Sequence, residues 1–311
     1  MKNLLKRIAH RLIAGIGVLW GAATLTFIAV NVTGGDTALA IVGGANAITT
    51  TEVLASVRAE YGLDKSLAVQ YADYLLRIAQ GDLGESYRLR IPVTKAILQQ
   101  LGSTIELALW GASVAIVLAV AVALSTAGRS RKVQSWFSGV ELVLSSIPGF
   151  VKGLFLLLVF SFQLHWLPSS GAEGWRSLVL PVLTLAIPLA TVLTQVLRQE
   201  LEDVLEQPFI TMARARGLSD AAVRLVHALR HALIPLVTLS GFILASLLGG
   251  AAIVETLFVR RGIGRLMVES TSNKDIPLVL GITLLSALIY VVVNLVVDIL
   301  NALIDPRVVH T

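Results

Sequence analysis

The chain has 311 residues, of which 55% are hydrophobic and 14% are charged, and its mean hydropathy is +0.79. Soluble domains carry about 25% charged residues, so this composition excludes a soluble globular domain and indicates a polytopic membrane protein. The net charge of +5 is typical of basic cytoplasmic loops and is not evidence for nucleic-acid binding. Because the chain has no cysteine, disulfides, thiolate metal sites and cysteine nucleophiles are excluded.

Six apolar runs each come close to the ~20 residues that a helix needs to cross the hydrocarbon core. The first run is longer than the apolar part of a signal peptide, about 7–15 residues, so we interpret it as an uncleaved span. The pattern therefore predicts an all-α polytopic membrane protein with six transmembrane helices. The six runs are Leu12–Val32, Leu107–Ala127, Leu142–Phe162, Leu178–Leu197, Leu233–Val254 and Pro277–Val297.

Lysine and arginine in the short loops predict the orientation of the chain. Basic residues crowd the N-terminus and the segments 128–132 and 198–230, whereas the segment 163–177 holds only Arg176. The segment 255–276 departs from this pattern because it carries four basic residues. We expect both termini to lie in the cytoplasm.

This orientation divides the chain into three parts. We expect 1–32 to hold the cytoplasmic N-terminus and the first span, 33–101 to form a small extracytoplasmic cap, and 102–311 to form the transmembrane core. Within the cap, residues 33–50 are rich in glycine, alanine and threonine and predict a loop.

Two short amphipathic helices are predicted in the rest of the cap. Thr51 or Ser56 is expected to cap the first, and the glycines of Gly81–Gly84 are expected to end the second. Ile91–Thr94 is expected to begin the helix that leads into the second span.

The segment between the fourth and fifth spans, about 203–232, is called the basic loop here. Pro208 suits the first position of a helix, Gly217 suits a left-handed stop, and Ser219 with Asp220 suits the start of a second helix. We expect Arg224 to lie mostly away from the buried face of that helix. The residues predicted to form the buried face are Val223, Val226, Leu229 and Leu233.

Three interpretations of the basic loop are open from its residues. The first is a solvated loop that follows the positive-inside rule, the second is a helix-turn-helix that binds DNA, and the third is an element that docks on a cytoplasmic protein. The short tethers to the spans on both sides disfavour DNA binding. Basic helices beside a membrane, without catalytic residues, favour docking.

Short motifs recur in order along nearly the whole chain. Upstream they are Tyr61-Gly-Leu-Asp64, Gln70-Tyr71, Gly81-Asp-Leu-Gly84-Glu-Ser86, Thr104-Ile-Glu-Leu-Ala108 and Ser146-Ile-Pro148. From the basic loop onward they are Ala213-Arg-Ala-Arg-Gly217-Leu-Ser, His227-Ala-Leu-Arg-His-Ala-Leu-Ile-Pro235, Gly249-Gly250, Val254-Glu255-Thr256, Gly262-Ile-Gly264-Arg265-Leu266 and Leu303-Ile-Asp-Pro-Arg307. Together these motifs resemble the permease subunits of oligopeptide, dipeptide and nickel ABC importers.

The resemblance implies a permease in the bacterial cytoplasmic (inner) membrane that forms half of a pathway for short peptides or for nickel or a metal chelate. It implies a second homologous permease, two ATP-binding subunits that hold ATP and Mg, an extracytoplasmic solute-binding protein and membrane lipid as partners, with no nucleic acid. It also implies that the basic loop couples to the ATPase. The coupling residues it suggests are Ala213, Arg214, Ala215, Arg216, Gly217, Leu218, Ser219 and Arg224.

The chain departs from the wider importer pattern at two places and from the peptide and nickel branch at two others. The coupling motif begins with Thr211-Met-Ala213 instead of glutamate-alanine-alanine, and Pro235 falls later, a spacing that the peptide and nickel branch shares. Gly34-Gly-Asp-Thr37 and Arg260-Arg261 differ from the branch itself. The last two departures concern the outer mouth and not the fold.

Three residues near the spans are candidates for the translocation pathway. Lys152 is a cation inside an apolar run, and such a charge is a functional candidate, although it can also face water or snorkel without touching substrate. Pro148 breaks a span, and such breaks often line a path. Glu255 is a candidate for a gate, or for a local ion pair with the arginines that follow it.

No enzymatic motif is present. The sequence lacks Gly-x-x-x-x-Gly-Lys-Ser/Thr, His-Glu-x-x-His and Gly-x-Ser-x-Gly, so we expect no catalytic residue and no cofactor in this chain. His227 and His231 are spaced like metal ligands but have no evident third ligand, so we expect no metal site. An ion-coupled secondary transporter is the alternative function. It requires carboxylates near the bilayer midplane, and the apolar runs offer none centrally.

Overall fold

The structure, a computed structural model, describes residues 2–32, 37–42, 49–172 and 174–304. Within these ranges the chain folds into fourteen α-helices and two π-helical turns, without a strand. The helices are α1 (Lys2–Val32), α2 (Thr37–Val42), α3 (Thr51–Glu60), α4 (Leu67–Ala79), α5 (Val93–Thr126), α6 (Arg131–Ser146), α7 (Gly149–Leu156), α8 (Gly174–Leu205), α9 (Pro208–Ala215), α10 (Asp220–Ala222), α11 (Leu229–Ala232), α12 (Ile234–Leu257), α13 (Ile263–Ser272) and α14 (Ile276–Ile304). The π-helical turns are Leu157–Gln163, which continues α7, and Val223–Ala228.

The chain divides into two compact units. Unit 1 comprises residues 1–102 and 261–292, and unit 2 comprises residues 103–260 and 293–311. Each unit has its own apolar core within the described residues. The three-part division predicted from the sequence is a different partition and remains a prediction.

A buried carboxylate helps to organise unit 1. Asp275 is 2% exposed and accepts hydrogen bonds from the Ser86 hydroxyl at 2.5 Å and from the backbone N–H groups of Tyr87 at 3.2 Å and Arg88 at 3.3 Å. Because a buried charge is costly unless it is hydrogen-bonded, these three donors stabilise the carboxylate. They fix the turn before α5 against the residue that precedes α14. The apolar core beside them is formed by Val93, Ala96, Ile97, Ile263, Leu278 and Ile282.

The core of unit 2 is built around α8, which packs against α5, α7 and α12. Small residues allow these helices to approach closely. A Cβ atom on Gly250 of α12 would lie 2.8 Å from Cδ2 of Leu185, and one on Gly153 of α7 would lie 2.6 Å from Cδ2 of Leu257. Both distances are shorter than a normal van der Waals contact, so a larger residue at either position would force a neighbouring side chain to move.

The lengths of the helices agree in part with the predicted spans. Among the described residues, three helical stretches are long and apolar enough to cross a membrane, namely Val93–Thr126, Gly174–Leu205 and Ile276–Val296. The first predicted span lies in α1, whose apolar part Ile13–Ala29 is shorter, and the fifth coincides with α12. The total of six spans remains a prediction.

The predicted span over Leu142–Phe162 is not a single straight helix but is broken at Pro148. Two helices cover this stretch, α6 and then α7 with its π-helical turn, and they are bent by 98° at the break between them. The break falls at Ile147 and Pro148. Proline has no backbone N–H and disfavours helical geometry in the residue before it, so a helix entering Pro148 is interrupted there.

The region predicted to form the cap contains the two helices expected from its periodicity, α3 and α4. Thr50, and not Thr51 or Ser56, caps α3, because its hydroxyl oxygen accepts a hydrogen bond from the N–H of Val53 at 3.4 Å. The predicted loop over 33–50 is wrong at α2. Its glycine-rich parts, including Gly34–Asp36, lie outside the described residues, as does the end of the motif at Asp305–Arg307.

Candidate functional site

The basic loop folds locally as its sequence predicts. Helix α9 begins at Pro208 and ends before Gly217, which adopts the left-handed conformation at φ +81°. The Ser219 hydroxyl oxygen then accepts a hydrogen bond from the N–H of Ala222 at 3.3 Å, and Asp220 occupies the first turn of α10. Proline, glycine and serine each act here through their own backbone chemistry, so these assignments are confirmed.

The eight suggested coupling residues fall into two groups. Ala213 is 5% exposed and Arg224 is 7% exposed, so both belong to the interior of the basic loop. The other six are exposed and available to a partner: Arg214, Ala215, Arg216, Gly217, Leu218 and Ser219. The structure therefore divides the set into residues that hold the loop and residues that present a surface.

Ala213 holds α9 against the rest of unit 2 through an apolar cluster. It packs with Ile210, which is also buried, onto residues from the ends of α5 and α8. The other buried members of this cluster are Ala123, Ala127, Leu197, Leu201, Val223, Ala228 and Ala232. Because most of these side chains are alanine, the elements approach closely, and a larger side chain at Ala213 would be overpacked.

Arg224 connects the basic loop to the end of α5. Its guanidinium donates hydrogen bonds to the carbonyl oxygens of Ala127 and, at 3.2 Å, Leu124. The last carbonyl groups of a helix have no partner within the helix, so an arginine from elsewhere in the fold satisfies them. Its Nε also lies 2.7 Å from a carboxylate oxygen of Asp220.

Asp220 joins two arginines of the basic loop. Its second carboxylate oxygen lies 3.2 Å from the guanidinium of Arg214. The hydrogen bond from Arg224, supported by the charges of both arginines, lowers the pKa of Asp220 below its ordinary value against a smaller opposing effect of desolvation. Asp220 is therefore a carboxylate at neutral pH and fixes Arg214 beside the surface of the loop.

The predicted buried face of the second helix is wrong at Val226 and Leu233, which are 63% and 36% exposed. The expectation that Arg224 lies away from this face is also wrong, because Arg224 is 7% exposed. Residues Val223–Ala228 form a π-helical turn, which has more residues per turn than an α-helix. The turn shifts the register, so Val223 and Arg224 are buried side by side and Val226 points outward. The 3.6-residue periodicity used for the prediction does not apply across such a turn.

The exposed side of α9 and the turn after it carry apolar and cationic side chains together. Phe209 is 41% exposed, Met212 58% and Leu218 40%, and the exposed Arg214 and Arg216 lie among them in the sequence. We call these five residues the α9 surface. Large apolar side chains surrounded by charge are typical of a surface that another protein covers.

Lys152 has a local partner. Its Nζ is 2.6 Å from the carbonyl oxygen of Leu144, and the residue is 7% exposed. In an uninterrupted α-helix the N–H of residue 148 would bind that oxygen, but Pro148 has no N–H. The ammonium group of Lys152 therefore satisfies a carbonyl group that the proline break leaves free.

A mostly apolar cavity of about 430 Å³ lies between the start of α7, the middle of α8 and α12. Of the three pathway candidates, Pro148 lines it, whereas Lys152 and Glu255 do not. Other lining residues are Phe150, Thr184, Pro188, Leu189, Gly250 and Val254. The structure thus places only Pro148 of the three at this cavity, and the pathway assignment stays a prediction.

Glu255 and Arg260 are both buried near the end of α12. Glu255 is fully buried and accepts a hydrogen bond from the Thr104 hydroxyl at 2.6 Å. Arg260 is 1% exposed and pairs with Glu106 at 2.5 Å. Both contacts join α12 and its C-terminal end to the same two turns of α5, a connection that the sequence did not reveal because the partners are 151 and 154 residues apart.

The described residues contain no group of three or more histidine, cysteine, aspartate or glutamate side chains that could hold a metal ion. The ring of His231 instead lies 5.3 Å from that of Phe209 on α9. In the described part of the chain, His231 therefore contributes to packing in the basic loop.

The architecture defines the general class of the protein. The described residues form helices and no strand, and several of these helices are long and apolar enough to cross a membrane. The chain is thus an all-α membrane protein.

Residues 94–310 match the family described as the inner membrane component of binding-protein-dependent transport systems, and residues 4–108 match the N-terminal region of the membrane components of these systems. The chain belongs to this family and is a permease subunit of an ABC importer. The resemblance inferred from the motifs is confirmed.

Individual relatives are similar over nearly the full length. The glutathione transport system permease protein GsiC of Salmonella choleraesuis (strain SC-B67) is 36% identical over 310 residues, which cover 98% of this chain and 99% of that protein. GsiC of Shigella flexneri serotype 5b (strain 8401) is 35% identical over the same length. A putative peptide transport system permease protein of Brucella abortus (strain 2308) is 35% identical over 317 residues, 98% of each chain.

Proposed function

We propose that this chain forms half of the translocation pathway of an importer for short peptides. The observation that carries the proposal is the full-length similarity to permeases named for glutathione and for peptides. Glutathione is itself a small peptide, so the two names describe one chemical class. Nickel or a metal chelate, the other substrate class implied by the motifs, stays a prediction.

The importer would contain four further subunits around this chain. We infer a second homologous permease, two ATP-binding subunits that bind ATP and Mg, and an extracytoplasmic solute-binding protein. The chain itself would bind no cofactor and would cross the membrane six times with both termini in the cytoplasm. The family description, which names an inner membrane component that depends on a binding protein, supports this assembly in general terms.

The α9 surface is the proposed contact with an ATP-binding subunit. Its apolar and cationic side chains are exposed, and the loop beneath it is fixed by the buried Ala213 and Arg224. A movement imposed on α9 would therefore be transmitted to the ends of α5 and α8, because these elements share one apolar cluster. This arrangement supports force transmission from the ATPase to the membrane helices.

The test is transport by the reconstituted complex. The chain, its partner permease, the ATP-binding subunits and the binding protein are placed in liposomes, and uptake of labelled glutathione, a dipeptide and nickel is measured with ATP inside or outside. We expect ATP-dependent uptake of a peptide that requires the binding protein. Uptake of nickel alone would overturn the peptide assignment, and uphill uptake by this chain alone on an ion gradient would favour the secondary transporter.

A further inference from the structure

Helix α6 turns its polar side chains toward the rest of unit 2. Gln134 donates a hydrogen bond to Glu202 at 2.7 Å, and Arg198 donates one to the Ser138 hydroxyl at 3.1 Å. Glu141 is 6% exposed and forms an ion pair with the same Arg198. These contacts attach one side of α6 to the C-terminal part of α8.

The opposite side of α6 is apolar and exposed in the chain on its own. Trp136 is 65% exposed, Val140 38% and Val143 60%. Together with Lys132 they are spaced by four, four and three positions, so they lie along one face of the helix. Contiguous exposed apolar surface of this kind is covered by lipid or by protein in a membrane protein.

Three cations lie at the end of this face. Arg129, Arg131 and Lys132 are exposed, and the ion pairs found among the described residues include none of them. Without an anionic partner, each of these cations must stay hydrated, which requires that the end of the face remain open to water. A protein that covered the face would have to supply several carboxylates, whereas an anionic lipid leaflet supplies negative headgroups at that boundary.

We propose that the α5–α6 turn, residues 127–130, and the exposed apolar face of α6 bind an anionic phospholipid. Arg129, Arg131 and Lys132 bind the phosphate-containing headgroup, and the acyl chains lie along Trp136 and Val140. Tryptophan one turn from the cations suits the level where headgroups meet acyl chains. The site adjoins Ala127, the residue whose carbonyl oxygen binds Arg224 of the basic loop.

The test uses a fluorophore on the proposed site. Because the chain has no cysteine, Val140→Cys gives a single position for labelling with bimane before assembly with the partner subunits. The complex is reconstituted in phosphatidylcholine vesicles that contain equal fractions of either brominated phosphatidylglycerol or brominated phosphatidylcholine. Bromine quenches the fluorophore only at short range, so the ratio of the two effects measures the local preference for the anionic lipid.

We expect at least about threefold stronger apparent binding of phosphatidylglycerol near position 140, because each basic residue near an anionic surface adds a favourable contribution. The charge-neutral variant R129Q/R131Q/K132Q should bring the ratio close to one. The matched control R88Q/R90Q/K95Q removes two arginines and one lysine that are also exposed but lie in unit 1, and it should keep the preference.

Three results would overturn the proposal. Equal quenching by the two lipids in the unaltered protein would mean that no anionic lipid is selected. An unchanged preference in R129Q/R131Q/K132Q would mean that these cations do not bind the headgroup. No quenching by either lipid in the assembled complex would mean that a protein subunit, and not lipid, covers α6. None of these measurements depends on the transported substrate.

Discussion

The guanidinium of Arg224 donates a hydrogen bond to the carbonyl oxygen of Ala127, and so a residue of the basic loop caps the helix that ends at the α5–α6 turn. The same side chain reaches Leu124 and Asp220. Arg224 is 7% exposed, so its role is to position the loop and not to contact a partner. Through Asp220, Arg224 thus connects Arg214 of α9 with the end of α5.

Replacing Arg224 should uncouple ATP hydrolysis from transport. In Arg224→Leu the carbonyl groups of Leu124 and Ala127 lose a buried donor, which costs about 1–3 kcal/mol. We expect a lower melting temperature of the detergent-solubilised chain and a loss of transport-dependent stimulation of the ATPase. Arg230→Leu is the matched control, because Arg230 is exposed in the same loop. Equal melting temperatures for the two variants would contradict the positioning role.

Gly217 should tolerate asparagine but not valine. Its φ of +81° lies in the left-handed region, where a β-branched side chain is strained and asparagine is accepted more readily. A Cβ atom there would meet no other atom within 4 Å, so backbone strain and not crowding determines the outcome. We expect Gly217→Val to abolish transport and uncouple the ATPase while the chain still inserts into the membrane, and Gly217→Asn to retain transport. Full transport by Gly217→Val would argue against a coupling role for this turn.

The parts of the basic loop that follow from local chemistry were predictable from the sequence. Pro208, Gly217 and Ser219 each act through their own backbone or side chain, and the structure confirms each position. The capping role of Arg224 was not predictable, because its carbonyl partners lie 97 and 100 residues away in the chain. The exposure of Val226 has another cause, since the 3.6-residue periodicity of apolar residues does not indicate a π-helical turn.

The broken third span shows the same limit. Pro148 predicted that the helix is interrupted, whereas hydropathy alone shows 142–162 as one apolar run. The angle of 98° between the two helices does not follow from the presence of a proline. The contacts that hold α6 on α8, between Arg198 and its partners Glu141 and Ser138, join residues 57 and 60 positions apart in sequence. The division of the coupling residues into buried and exposed groups likewise required the folded chain.

Charge placed on the α9 surface should weaken binding of the ATP-binding subunit without unfolding the chain. Met212 is 58% exposed, so Met212→Glu leaves the core intact but introduces a carboxylate into an apolar contact. We expect at least about fivefold weaker association in a pull-down titration, since the loss of a side chain that anchors an interface costs more than about 1 kcal/mol. Val69→Glu, at a residue 45% exposed on α4, serves as the control. Undiminished association of Met212→Glu would exclude α9 as the principal contact.

Lys152 should matter for stability more than for substrate affinity. Its ammonium group donates to the Leu144 carbonyl oxygen that Pro148 leaves free, so Lys152→Met should leave that oxygen without a partner and lower the melting temperature. Lys152→Arg keeps a donor of similar reach and should recover part of the loss. If Lys152 instead bound a substrate carboxylate in the pathway, Lys152→Met would raise the KM for peptide uptake without changing the melting temperature. Measuring the melting temperature and the KM for both variants therefore distinguishes a structural role, in which Lys152 binds the free Leu144 carbonyl oxygen, from a role in the translocation pathway. The observed hydrogen bond favours the structural role.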